Sequence, residues 1–341
     1  MQRKILAAAL FATAFPIAAF AQSNVQMYGV MDAALSREET GTPGQDSTWK
    51  VNSGNQSSSR IGFRGTEDLG DGLKAMFNIE AGVAIDTGAA DSNLFQRRAV
   101  VGLENNFGLL TIGREYSPIA MVAAMSDVFG QGFYGSNLSA FGSQGANRLT
   151  RRLDNSVNLK TSAWNGLRGY LAYSAGEKTT DPSGDLIGGA LEYNYGNLGL
   201  SAGYHTIKRL AVEKDKEMAF GAAFKFDALE LKGNYLSADN AGPNNKFKQY
   251  NVGAAYTIDA NKFFFNFQQN KSDSGAKGKA YAVAYSYSLS KRTNLYASYA
   301  TMDNNNLGVF ALNSSSTNVT PAATALGADP KALSLGLRHT F

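Results

Sequence analysis

With 341 residues, no cysteine and a formal charge of only +4, the chain has neither a disulfide framework nor a thiolate metal site, and it lacks the basic excess of a nucleic-acid-binding protein. Its 36 glycines, 16 tyrosines and 20 phenylalanines, set against 7 prolines, suit glycine- and aromatic-rich strands from whose interiors proline is kept. Beyond the N-terminal leader no apolar run reaches the ~18 residues of a membrane-spanning helix, so helical spans are excluded and strands must make any crossing.

The chain opens with Arg3 and Lys4, an apolar stretch from Ile5 to Phe20 and the small-x-small site Ala19-Phe20-Ala21. That order is expected of a secretory signal peptide over residues 1–21, leaving 22–341 as the folded protein with a formal charge of +2. Alternating segments come next, beginning near Val25, Arg60, Leu73, Phe95, Leu110, Asn155, Leu167 and Leu186, then near Leu198, Met218, Leu229, Lys248, Phe263, Ala280, Leu295 and Leu333. Met218, Phe220, Ala222, Phe224 and Phe226 share one face, as do Tyr281, Val283, Tyr285, Tyr287 and Leu289, which is the period of a strand.

Tight links such as Asp68–Gly72, Asn165-Gly166, Gly196-Asn197 and Asp259–Asn261 alternate with long polar stretches such as Arg37 to Ser58 and Asp303 to Ala332. Seven short turns and eight long loops joining sixteen strands predict an all-β fold, a 16-stranded antiparallel transmembrane β-barrel. One connection differs, because about 116–149 carries Ala120 to Met125, Phe129, Phe133, Tyr134 and Phe141 among glycines. An apolar loop of this length is poorly placed in water, and folding it into the barrel resolves the conflict. The last strand alternates Leu333, Leu335, Leu337, His339 and Phe341 with Ser334, Gly336, Arg338 and Thr340, so the first set should face lipid and the second line the lumen.

At Ser59–Gly70 (SRIGFRGTEDLG) the sequence resembles the general diffusion porins of Gram-negative bacteria, particularly those of β-proteobacteria. Further matches are Val25–Asp32, Phe95–Arg98 through Gly113-Arg114, Leu289–Thr293 and Gly336–Phe341, so the likeness covers the whole mature chain. The resemblance implies a homotrimeric barrel of the cell outer membrane whose third loop folds inward to narrow the pore. It also implies surroundings of outer-membrane lipid and lipopolysaccharide, and a C-terminal signal, Leu337 and Phe341, read by the barrel assembly machinery. The function it implies is passive diffusion of small hydrophilic solutes and ions.

A diffusion channel needs a hole of fixed width and a field across it, and charged groups at a constriction supply that field. Ile61 and Phe63 outward place Arg60 and Arg64 inward; Val157 and Leu159 outward place Arg152, Asp154, Ser156 and Lys160 inward, with Arg148 and Arg151 on the preceding loop. The resemblance implies a basic wall at Arg60, Arg97 and Arg152. Arg97 and Arg98 must point to opposite faces unless a bulge intervenes, and spacing in the family pattern favours Arg97. The third loop departs from the pattern, offering on its acidic side only Asp127, with Glu115 just before it. The expectation is therefore a modest anion preference.

The alternatives are a substrate-specific outer-membrane channel using Phe129, Phe133, Tyr134 and Phe141, and, from another class, an adhesin or phage receptor built on the loops. Two enzyme-like strings lack their context. Gly130–Gly135 fits G-x-G-x-x-G without a strand before it or a helix after it, and Gly199–Gly203 fits G-x-S-x-G inside an alternating strand. His205 stands roughly 13 Å along that strand from Ser201, so no nucleophile–base pair forms. Neither catalysis, a cofactor nor a metal is expected.

Overall fold

The computed structural model describes residues 24–142, 149–210 and 213–341, so the expected signal peptide lies outside the described residues. Sixteen strands form one antiparallel barrel: β1 Asn24–Glu39, β2 Arg60–Gly70, β3 Leu73–Ala84, β4 Arg98–Asn105, β5 Gly108–Tyr116, β6 Arg152–Thr161, β7 Leu167–Ser174 and β8 Leu186–Tyr195. They continue as β9 Leu198–Ile207, β10 Asp215–Phe226, β11 Leu229–Asp239, β12 Lys246–Ile258, β13 Asn261–Ser272, β14 Lys277–Ser288, β15 Thr293–Asn304 and β16 Lys331–Thr340. Each pairs with the next, and β16 closes the ring against β1. Full closure leaves no strand edge unpaired, which a lipid-facing sheet requires because hydrocarbon offers no hydrogen bonds.

The tight turns rest on residues that tolerate positive φ: Asp71-Gly72, Asn165-Gly166, Asp227 and Asp259 all adopt it. Closure ends on the last residue, where the backbone of Phe341 exchanges hydrogen bonds with Gly29 in both directions at 3.1 Å. The Phe341 ring lies across Gly29, and any β-carbon there would overlap it.

Strand parity sorts the faces as the alternation predicts. Leu333, Leu335, Leu337 and Phe341 are exposed outward, as are Phe220, Phe224 and Phe226 on β10 and Tyr281, Val283 and Tyr287 on β14. The inner face of β16 differs from expectation in its solvent contact. Ser334 is buried beneath Asn55, which donates to it at 2.9 Å, so it does not line water.

That contact exposes a correction to the loop expected from Arg37 to Ser58. Strand β1 continues to Glu39, and Thr48–Ser53 pairs back onto Ala33–Glu38. Gly54 to Ser59 then leaves the wall and folds inward before β2 resumes the pairing with β1 at Arg60. Asp32 holds this excursion by accepting from the Ser57 N–H at 2.6 Å. The connection after β15 also turns inward as a small hairpin, Leu312–Asn313 against Asn318–Val319, whose Ser315 hydroxyl accepts from the Ser58 N–H at 2.7 Å.

The third loop fills one side of the barrel. Helix α1, Pro118–Met125, packs against β8, β9 and β10, and small residues on the inner face of the wall make room for the loop. Gly203 faces Ile119 and Val122, Gly221 faces Ser126, Gly253 faces Val128, and Ala282 and Ala300 face Gly135. Phe133 is 1 % exposed, its ring 5.3 to 5.7 Å from those of Phe129, Phe264 and Tyr296. The apolar content that makes this loop unsuited to water is what packs it to the wall. The loop's course leaves the inner faces of β2 to β7 as the open side.

Candidate pore constriction

Ser117-Pro118 starts α1 by familiar chemistry: the serine hydroxyl accepts from the Ala120 N–H at 3.1 Å and proline takes the first turn, where its missing N–H costs nothing. Beyond the helix, Asp127 is 0 % exposed and its carboxylate accepts from the N–H groups of Phe129, Gln131 and Asn137 at 3.0 to 3.2 Å. Burial raises its pKa to about 6. Asp127 is thus a staple within the loop and presents no charge to the lumen, contrary to its expected place on an acidic side. Farther along, the Phe133 N–H donates to the Asn55 carbonyl at 2.7 Å and the Tyr134 hydroxyl to Glu38 at 2.8 Å. The returning arm is tied down at Thr150, whose N–H and hydroxyl both donate to Glu217, itself 2.7 Å from His205.

Between α1 and the open wall lies a cavity of about 790 Å³. Arg60, Arg97, Arg98, Arg151, Lys160 and Arg168 line it, together with Glu80, Glu115 and Glu192, an excess of three positive charges. Glu80 ties two of the arginines together, 3.1 Å from Arg60 and 2.6 Å from Arg97. Glu115 accepts from Arg98 at 2.9 Å, and Glu192 lies 3.6 Å from Arg168. The helix supplies the other side with Met121, Ala124 and Met125, none of them charged.

Arg60 stands where parity and resemblance place it. Arg97 and Arg98 both reach the cavity, which removes the choice between them. Arg98 lies directly opposite Glu80 in the β3–β4 pairing and so shares its inward face, while Arg97 precedes the strand and is free of its parity. Arg152 and Asp154 depart from expectation. The pairing of β5 with β6 shifts register between Gly113 and Glu115, and Asn155 takes φ 50°, so the alternation breaks there. Arg152 is not part of the cavity lining; it stacks 4.7 Å from the Tyr116 ring centroid and donates to the Tyr116 hydroxyl at 3.0 Å and the Arg97 carbonyl at 2.9 Å. Asp154 is exposed and paired with Arg114.

Arg151, expected on the loop, takes the place forecast for Arg152 and donates to the Gln131 side chain at 3.1 Å. Burial first, and then the neighbouring Arg152 charge, lower its pKa to about 10, so it remains a cation at neutral pH. Arg148 lies outside the described residues. Glu115 sits at the end of β5 in the basic wall, not on the loop opposite it. Sequence reading misses Glu80, Arg168 and Glu192, although parity could find the first: Phe77 and Ile79 facing outward oblige Glu80 to face inward. Among the described residues no group of three or more His, Asp or Glu could hold a metal ion, and no helix is long and apolar enough to cross a membrane.

Comparison with known proteins supports the same architecture. The family model described as Gram-negative porin matches residues 7–307. Outer membrane porin protein 32 of Delftia acidovorans is 31% identical over 360 residues, covering 100% of both chains, and an outer membrane porin of Bordetella pertussis is 29% identical over 338 residues, covering 89% of this chain and 86% of its own. Among solved structures, an anion-selective porin from Comamonas acidovorans superposes with a TM-score of 0.83 at 27% identity, covering 94% of this chain and 100% of its own. The trimer form of OmpT from Vibrio cholerae, at 17% identity and a TM-score of 0.68, shares the fold. With a closed sixteen-strand barrel and a family match across most of its length, the chain belongs to the Gram-negative porins of the outer membrane.

Proposed function

We propose that the protein is a water-filled diffusion channel with a modest anion preference, whose constriction is the gap between α1 and the wall bearing Arg60, Arg97, Arg98 and Arg151. The observation that carries this reading is the excess of three positive charges around that gap, facing a helix with no carboxylate to offset them. In a narrow passage with low-dielectric walls such an excess raises local anion concentration and lowers that of cations. The selectivity named for the Comamonas protein agrees with it.

Residues 1–21 serve as the secretory signal, and three copies assemble around the faces of β16 and β1 to β6. The distribution of tyrosine supports that face: among the described residues every exposed, outward-facing tyrosine, from Tyr173 to Tyr299, lies on β7 to β15, where a ring at the lipid headgroup level is useful. Lipopolysaccharide surrounds the remaining circumference, and Phe341 with Leu337 presents the C-terminal strand to the assembly machinery. The channel carries no catalytic activity. Purified protein in a planar bilayer should give a conductance that rises with KCl concentration, with a zero-current potential of anion-selective sign. A pore closed to KCl, or a cation-selective potential, contradicts the proposal.

A further inference from the structure

The two sides of the constriction differ in a way that a site built for inorganic ions does not require. One bears guanidiniums. The other bears the apolar side chains of Met121, Ala124 and Met125, with Ala124 exposed and both methionines half-buried. The opposite face of the same helix, Ile119, Val122 and Ala123, is already fully buried against the wall, so the lumen-facing side is apolar surface left over in a water-filled passage. Met76 of β3 lines the cavity as well, so three of the chain's eight methionines gather there. Methionine is unbranched and polarisable, and it adapts to apolar bodies of varied shape. At about 790 Å³ the cavity is of small-molecule size.

Resting on the anion-channel reading above, we infer that this gap is a weak binding subsite for organic monocarboxylates with a compact apolar body. The carboxylate is held by Arg60, Arg97 or Arg151, and the hydrocarbon lies on Met121, Ala124 and Met125. Charge complementarity selects the head and the methionine face selects the body. A hydrophilic anion of similar size satisfies only the first, and an uncharged ring only the second.

The test uses the purified full chain in planar bilayers, with KCl current recorded while benzoate, glycerate or benzyl alcohol is added. Benzoate should reduce the current saturably, and glycerate and benzyl alcohol should need much higher concentrations. Replacing both methionines, Met121→Gln with Met125→Gln, keeps side-chain length and helix propensity. Taking each contact as about one methylene of hidden surface, the pair should weaken the benzoate effect roughly tenfold, with heat-modifiable migration of the barrel on gels as the folding control. Equal effects of benzoate and glycerate on the parent protein, or an undiminished benzoate effect in the double variant, overturn the inference while leaving anion preference intact. A cation-selective KCl potential overturns the underlying reading instead.

Discussion

Glu80 sets the strength of the field at the constriction, and removing its charge should raise anion preference. Glu80 is 8 % exposed, and its carboxylate lies against Arg60 and Arg97 and also accepts from the Tyr28 hydroxyl at 3.2 Å. Glu80→Gln keeps the side chain's size and a hydrogen-bond acceptor while raising the cavity's positive excess from three charges to four. For an ion passing about 8 Å away in a water-like dielectric, one unit charge contributes ~0.5 kcal/mol, and screening at 0.1 M salt cuts this to ~0.2 kcal/mol. The effect has opposite sign for chloride and potassium, so their permeability ratio should rise roughly twofold to sixfold. Zero-current potentials in a KCl gradient measure this directly, and the charge-conserving Glu80→Asp should stay near the parent value. A ratio in Glu80→Gln that is unchanged, or that moves towards cations, refutes the placement of the field.

Other perturbations probe the remaining links. Arg60→Ala should reduce the chloride-to-potassium ratio more than Arg152→Ala, because the first guanidinium lines the cavity and the second, stacked on Tyr116, does not; equal losses would contradict that difference. Phe133→Ala removes a buried ring and should weaken loop packing by about 3–5 kcal/mol, read as increased open-channel current noise with the barrel intact. The pKa of Asp127, raised by burial to about 6 from an ordinary 3.8, makes proton uptake favour the folded loop. That contribution is full below the ordinary value and is lost as pH rises through about 6, so current noise should be lower at about pH 5 than at about pH 8, and Asp127→Asn should flatten the difference. Gly29→Val should displace the Phe341 ring and lower the yield of folded barrel, scored by heat-modifiable migration on gels; a normal yield would show that the seam tolerates the change.

Much of this molecule is legible as period two. The alternation of Leu333 to Phe341 gives the facing of β16, and the Asp-Gly and Asn-Gly pairs mark where strands turn, because those residues accept positive φ. The site is less legible where that period is interrupted. Parity does not place Arg152, because the register shift beside Gly113 and the positive φ of Asn155 interrupt the alternation, and neither residue announces a bulge in a single sequence. Asp127 reads as a charge, yet its role comes from three backbone N–H groups that meet only once the loop is folded. The inward turn of Gly54 to Ser59 is hidden for a similar reason: its serines, asparagine and glutamine read as an ordinary polar loop, and only the long-range partners Asp32, Ser334 and Ser315 draw it into the lumen.

An arginine wall opposite an uncharged helix makes the passage favour anions. The most direct measurement is the zero-current potential of the unmodified protein in a planar bilayer separating two KCl concentrations. A potential of the sign set by chloride, shrinking as salt rises and screening shortens the reach of the wall, is the predicted result. A potential set by potassium at every salt concentration contradicts that preference.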